Sequence, residues 1–414
     1  MKWVNINGLW YRGFSVMRSV STTQGLIGNA ARGGLPAWSY DHDELMELEK
    51  ELVFRRNWLL VGHVNEIPGP GDFMTLDVAD ERALVVRGRD GKVRAFHNLC
   101  RHRGSRVVAE PSGNCGSVIT CPFHGWSYDL DGRLRGIPFP KTFGPLDESK
   151  LGLKPVRHEI WHGLVFVRFK GDGPSIAETM APVEAEFAPY RLEEMQPYGK
   201  RWRVEFETNW KATVDVDNEG YHVPIAHPGL NDLYGHSYFD EILENGIPRS
   251  MGSFGDRRHR LWSVRHYVKL LPAADHLPES HRRAWIYYGV FPTTVVTLFP
   301  DMVDFYQFLP MTTRRSAMQG GYLALPDDRR EMRAARYLNR RINAATGEED
   351  IQLIKWSWEG MRSSAFDGFI LSDLESGVRA YHDRLREALP VLNLPEPPAA
   401  GTMARRNRDL GGVA

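Results

Sequence analysis

Cys100 and His102 in CRHRG, and Cys121 and His124 in CPFHGW, each pair a thiolate with an imidazole. The first spacing is Cys-x-His and the second is Cys-x-x-His. Either spacing puts both side chains at a loop tip, pointing the same way. Two such knuckles facing each other can hold a [2Fe–2S] cluster, with two Cys on one iron and two His on the other. Replacing two thiolates by neutral imidazoles raises the reduction potential. Two Cys and two His also satisfy a tetrahedral zinc shell. Zinc fingers usually pair Cys with Cys and His with His, whereas here each knuckle is mixed. Ligand identity therefore favours the cluster. Gly104, Gly125 and Trp126 follow the knuckles, and Ser127 and Tyr128 are placed to donate hydrogen bonds to sulfur. Such outer contacts tune potential.

A second group lies in NWKATVDVDNEGYHVPIAHPGL. His222 and His227 are five apart, with Pro224 between them and Pro228 just after. Pro224 is expected to disrupt the backbone, so that both imidazoles converge on one metal. A lone His is usually structural, but two within six residues and among carboxylates are poorly explained that way. Two His and one carboxylate form the facial triad of non-haem Fe(II) oxygenases, which leaves positions open for O2. Asp215, Asp217 and Glu219 are the nearby carboxylates.

With these motifs the chain resembles the large (α) subunit of the Rieske non-haem iron oxygenases, from about Trp38 to Leu389. The resemblance implies that the third ligand lies far downstream, on an Asp opening a helix. In TGEEDIQLIKWSWEGM the matching residue is Asp350. The family's Gln eight residues later is Trp358 here. Glu348 and Glu349 compete with Asp350, although first-turn charge on a helix explains them equally well. Glu219, on the same helical face as His222, matches the acidic residue that links two iron sites. It would join His222 to His124, or else His102, of a neighbouring subunit, since a carboxylate accepts from both imidazoles. Asp215 stands where the family often has Asn, an extra charge near the iron.

The same resemblance implies the cofactors and partners. These are a Rieske [2Fe–2S] cluster, a mononuclear Fe(II), and NAD(P)H acting through a partner reductase, directly or through a ferredoxin. The activity implied is that of a terminal oxygenase, which uses O2 to hydroxylate, dihydroxylate or oxidatively dealkylate a small organic substrate. Electron transfer across a subunit boundary requires an oligomer, which a closed head-to-tail ring satisfies, and the resemblance implies a homo-oligomer, a trimer or hexamer, with or without small β subunits. The alternative is a Rieske electron-transfer protein without oxygenase activity. That function needs far fewer residues and no triad.

The elements that must position these groups give an α+β fold, an all-β Rieske domain followed by a helix-grip catalytic domain. Residues 1–40 read as an N-terminal extension, 41–170 as the Rieske domain with a preceding helix, 171–400 as the catalytic domain and 401–414 as a flexible tail. Asp90-Gly91 and Asp131-Gly132 mark hairpins. A helix is expected from Asn209. Strands are expected over Ala284–Pro310 and Gly320–Leu325, and separate helices over Asp328–Ala345, Glu348–Met361 and Ser372–Leu389. Met1–Arg18 lacks the apolar core and cleavage site of a signal peptide, and Met17 is an alternative start.

Lys+Arg and Asp+Glu both number 52 in 414 residues, which argues against a nucleic-acid binder. Three Cys, two of them in the knuckles, leave no disulfide framework and fit a reducing cytoplasm. No run approaches membrane-spanning length. Substrate walls are expected among Trp262, Tyr267, Trp285, Tyr287, Tyr288, Phe299, Phe305, Tyr306 and Phe308. They would hold either an aromatic acid, its carboxylate on one of Arg257, Arg258, Arg260 and Arg265, or a trimethylammonium group by cation–π attraction. Glu at the bridging position resembles family members that act on quaternary amines.

Overall fold

The computed structural model describes residues 4–6, 9–11, 33–255, 257–366 and 368–413. Apart from the short strands Val4–Ile6 and Leu9–Tyr11, the readings of the N-terminal extension and of Met17 fall outside the described residues.

The first lobe is built from short antiparallel strands. Glu81–Arg87 and Val93–His97 pair around the Asp90-Gly91 turn, as the hairpin signal requires. They extend through Asp72–Val78 to Ser112–Asn114 in a four-stranded sheet. A three-stranded sheet of Val118–Thr120, Ser127–Asp129 and Leu134–Gly136 carries the second knuckle at its first turn. A third sheet joins Leu59–His63 to Arg157–Trp161 and Leu164–Arg168.

The second lobe centres on an eight-stranded antiparallel sheet. Of its central strands, Ala284–Val290, Thr294–Leu298 and Val303–Thr312 are rich in β-branched and aromatic residues, and Arg315–Ala324 pairs with the last of them. Directly opposed residues in such a sheet share a face. Tyr287 opposes Thr297, Thr297 opposes Asp304, and Asp304 opposes Tyr322, so one polar row crosses four strands.

Helices carry the His pair and Asp350. Asn209 caps the helix Trp210–Asp217, its side chain accepting from Lys211 N at 3.0 Å. The two C-terminal helices expected up to Met361 are one helix, Arg330–Met361. Gly347 inside it costs roughly 1 kcal/mol relative to Ala. Buried Leu338 and Ile342 before it, and Ile354 and Trp358 after it, anchor both halves and override that cost. Asp350 therefore lies within a helix rather than opening one, and the macrodipole explanation of Glu348 and Glu349 does not apply. The stretch expected to be a flexible tail is also ordered. Met403–Asp409 is a helix with Met403 and Asn407 buried, and Asn407 Oδ1 accepts from Val391 N at 3.3 Å.

The lobes share one core. Leu45, Phe54, Val61 and Met74 pack in the same cluster as Trp210, Tyr306, Trp358 and Leu385. Inside it, Glu49 accepts from Trp210 Nε1 at 2.8 Å and pairs with Lys211 Nζ at 2.5 Å. Both charged side chains are 1% exposed, so each satisfies a partner that would otherwise be costly.

Candidate metal centres

The two knuckles are built on one backbone pattern. Cys100 N donates to Ser105 O at 2.7 Å and Gly104 N to Cys100 O at 3.0 Å. Cys121 N donates to Trp126 O at 2.8 Å and Gly125 N to Cys121 O at 3.0 Å. Both glycines take positive φ, +76° and +73°, which closes each loop where a side chain would be strained. Each loop thus presents a buried Cys at its base and a His nearer its tip. His102 and His124 lie edge to face, with ring centroids 4.7 Å apart, and His102 stacks on Trp126 at 5.1 Å. His124 is exposed, beside an exposed Phe123. Tyr128 Oη accepts from Arg101 N at 3.0 Å. Its one proton is then free for Cys100 Sγ, 3.2 Å away. Burial is the largest effect on the Cys100 thiol and raises its pKa, while Tyr128 opposes it. Two buried sulfurs with two imidazoles on the open side suit a cluster that is insulated at one iron and reachable at the other.

At the second group the backbone break differs from expectation. Pro224 occupies an early position of the short helix Val223–Ala226, where its missing N–H costs little. The break falls at His227, with φ −116° and ψ 84°, because the next residue is Pro228. Pro228 then starts the helix Pro228–Tyr234. His222 at the start of the first short helix and His227 at its end therefore turn toward each other. Their Nε2 atoms are 2.9 Å apart. Asp350 Oδ1 lies 3.0 Å from Nε2 of His227 and 3.5 Å from that of His222.

The outer sides of both rings are held by carboxylates. Glu219 accepts from His222 Nδ1 and, at 3.1 Å, from His222 N. It does so from the loop after Asp217 rather than from a shared helical face. His227 Nδ1 is 2.8 Å from Glu349 Oε2. With both Nδ1 positions engaged, both Nε2 lone pairs face the centre. Asp350 Oδ1 is buried without a hydrogen-bond partner. Burial disfavours charge on His222, yet Asp350 and Glu219 overcome it and raise its pKa to about 10. Three donor atoms meet here, within 4.8 Å of one another. This donor set fits a divalent iron with open coordination positions.

Two sequence expectations are redrawn here. Asp215 is not a loose charge near the His pair. Leu35 N donates to His382 Nδ1 at 3.2 Å, so His382 Nε2 carries the proton and donates to Asp215 Oδ1 at 2.9 Å. Tyr40 donates to Asp215 Oδ2 at 2.5 Å. The arginine cluster is on the surface, with Arg257, Arg258, Arg260 and Arg265 all exposed. Arg257 donates to Asn231 O at 2.8 Å, near the end of the helix that follows His227.

The aromatic residues divide by face. Trp285 donates to the Tyr267 hydroxyl, which donates to Asp301, and Tyr288 donates to Glu186. Tyr287 and Tyr306 instead turn toward the metal group. Tyr306 donates to Asp217 Oδ1 at 2.8 Å, and the Tyr287 and Tyr234 hydroxyls are 2.9 Å apart. The contacts of Glu349 and Asp304 escape sequence reading, because neither spacing nor periodicity marks them.

Known proteins match both halves. Residues 57–154 match the Rieske [2Fe-2S] domain, and residues 192–390 match the ring hydroxylating alpha subunit (catalytic domain). The chain is 33% identical over 225 residues to the glycine betaine monooxygenase oxygenase subunit of Pseudomonas aeruginosa, covering 54% of this chain and 50% of the relative. It is 34% identical over 200 residues to the carnitine monooxygenase oxygenase subunit of Escherichia coli K12, covering 48% and 53%. The match thus spans about half the length of these curated relatives. The fold resembles the quaternary ammonium Rieske monooxygenase CntA in complex with L-carnitine, with TM-score 0.71 and 21% identity over 86% of this chain and 96% of that one. It also resembles naphthalene 1,2-dioxygenase from Rhodococcus sp., with TM-score 0.69 and 19% identity over 84% and 92%. The chain thus carries a Rieske domain joined to a ring-hydroxylating alpha-subunit catalytic domain. A [2Fe–2S] cluster and a mononuclear iron are the cofactors of these two domains.

Proposed function

We propose that the chain is a terminal oxygenase component that uses O2 and reductase-derived electrons to oxidise a small organic substrate. The observation that carries this reading is the meeting of His222 Nε2, His227 Nε2 and Asp350 Oδ1, in a chain that also bears the two knuckles. An electron carrier has no use for the second donor set.

When bound, the cluster would pass electrons singly and the iron would bind and reduce O2. Cys100, His102, Cys121 and His124 would hold the cluster, and His222, His227 and Asp350 the iron. Glu219 fixes the tautomer of His222 and Glu349 that of His227, so neither ring turns away from the centre. The exposed edge of His124 is the part of its lobe that a neighbouring chain can reach. Glu219 of that neighbour is the matching acceptor, which makes a head-to-tail homo-oligomer the working unit. Substrate would lie against the sheet face bearing Tyr287 and Tyr306.

The relatives named above act on glycine betaine, carnitine and naphthalene, so quaternary amines and aromatics are the two substrate classes to test. Protein reconstituted anaerobically with iron and sulfide, reduced with dithionite and exposed to O2 should convert a compound from one class in a single turnover. Reoxidation of the cluster with no product from either class would leave the electron-carrier reading instead.

A further inference from the structure

The row Tyr287, Thr297, Asp304 and Tyr322 contains a buried carboxyl group without a counterion. Asp304 is 6% exposed, and its Oδ1 has no hydrogen-bond partner. Thr297 Oγ1, on the neighbouring strand, also has none. Two other buried carboxylates hold strong side-chain partners, although Asp301 Oδ2 also lacks one. Glu49 has Lys211 and Trp210, and Asp301 Oδ1 accepts from Tyr267 and Asn339. Among the described residues no ion pair reaches Asp304. Arg340 acts on it only at longer range, lying over the rings of Tyr198 and Tyr322, 5.9 and 5.1 Å from their centroids.

The row faces the metal group. Tyr287 is hydrogen-bonded to Tyr234, at the end of the helix that begins just after His227. Asp217 is exposed and accepts from Tyr306 Oη at 2.8 Å. Burial raises the pKa of Asp304 to about 8, against the Phe305 backbone N–H and Arg340, and the Asp217 charge adds to the rise. A neutral aromatic substrate would leave Asp304 and Thr297 unpaired. A cationic nitrogen would meet a carboxylate and the faces of tyrosines.

We propose that Asp304, flanked by Tyr287, Thr297 and Tyr322, is the substrate-binding carboxylate and that it selects a small organic ammonium ion or zwitterion. This rests on the oxygenase reading above and narrows its substrate class.

Isothermal titration calorimetry on oxidised, iron-loaded protein tests it with glycine betaine, carnitine, benzoate and 3,3-dimethylbutanoate. The last has the shape of glycine betaine without the positive charge. The expected result is betaine or carnitine binding at least about tenfold tighter than either uncharged-headed acid, a preference of the size electrostatic and cation–π contacts provide. Asp304→Asn should erase the preference while the cluster absorption is unchanged. The proposal is overturned if neither cation binds, if benzoate or dimethylbutanoate binds as tightly, or if the Asn variant keeps the preference. O2 uptake by reduced protein separates the two readings. If only the substrate class is wrong, a neutral-headed compound stimulates uptake. If the oxygenase reading itself is wrong, none of the compounds does.

Discussion

Glu349 Oε2 lies 2.8 Å from Nδ1 of His227, and the next residue, Asp350, brings Oδ1 to 3.0 Å from Nε2 of the same ring. Two consecutive carboxylates on one helix thus address both nitrogens of one imidazole. Glu349 orients the ring and makes it a better donor, while Asp350 completes the ligand set. Loss of such an outer carboxylate typically costs 10–100-fold in metal affinity. Glu349→Ala should weaken iron binding by about that factor without affecting the cluster. Competitive chelator titration followed by iron analysis measures it.

Tyr128 should set the potential of the cluster. Its hydroxyl is fixed by Arg101 N and directed at Cys100 Sγ. A hydrogen bond to a thiolate stabilises the reduced, more negative cluster. Tyr128→Phe removes one such bond, which contributes about 0.5–1.5 kcal/mol, equivalent to a fall of about 20–60 mV for a one-electron couple. Protein-film voltammetry should show that fall.

Lys211 ties the helix preceding the His pair to the N-terminal helix through buried Glu49. Lys211→Met leaves a carboxylate buried without its cation. The expected loss is about 3–5 kcal/mol of stability. Lys211→Met combined with Glu49→Gln should recover part of it, and urea denaturation of all three proteins tests both statements.

Asp304 gives the folded protein a pH dependence of definite sign. Its folded-state pKa, about 8, lies above the ordinary carboxylate value of 3.8. Between those values the folded state holds a proton that the unfolded state has lost, so this residue's contribution falls as pH rises and levels off above about 8. Asp304→Asn removes that loss. The variant should gain on the parent by up to about 1.4 kcal/mol per pH unit across the window. Denaturation midpoints at pH 5 and pH 8 check it, and equal differences at both pH values would contradict it.

The residues that sequence makes legible are those whose chemistry is local. Both knuckles, the two Asp-Gly hairpins and the His222/His227 pair follow from spacing within a few residues. Asp350 needed the family pattern, because Thr346-Gly347 looks like a helix break and only tertiary anchoring on both sides carries the helix through it. In sequence Glu349 is either a competing ligand or helix-end charge, and neither is its role. Its partner His227 is 122 residues away, and no local signal connects them. Asp304 lies in VDFYQFLP, a run whose alternation reads as an ordinary strand, and its lack of a partner exists only once four strands align. The break expected at Pro224 is made by Pro228, since a proline's effect depends on its place in the helix.

The central claim is that His222, His227 and Asp350 bind one iron apart from the cluster. The direct measurement is EPR of reduced protein exposed to nitric oxide, with iron and sulfide analysis, on the parent and on Asp350→Ala. The account predicts an iron–nitrosyl signal and one iron beyond the cluster in the parent. The variant should lack both while its reduced-cluster signal is unchanged. Equal nitrosyl signals and iron content in the two proteins would contradict it.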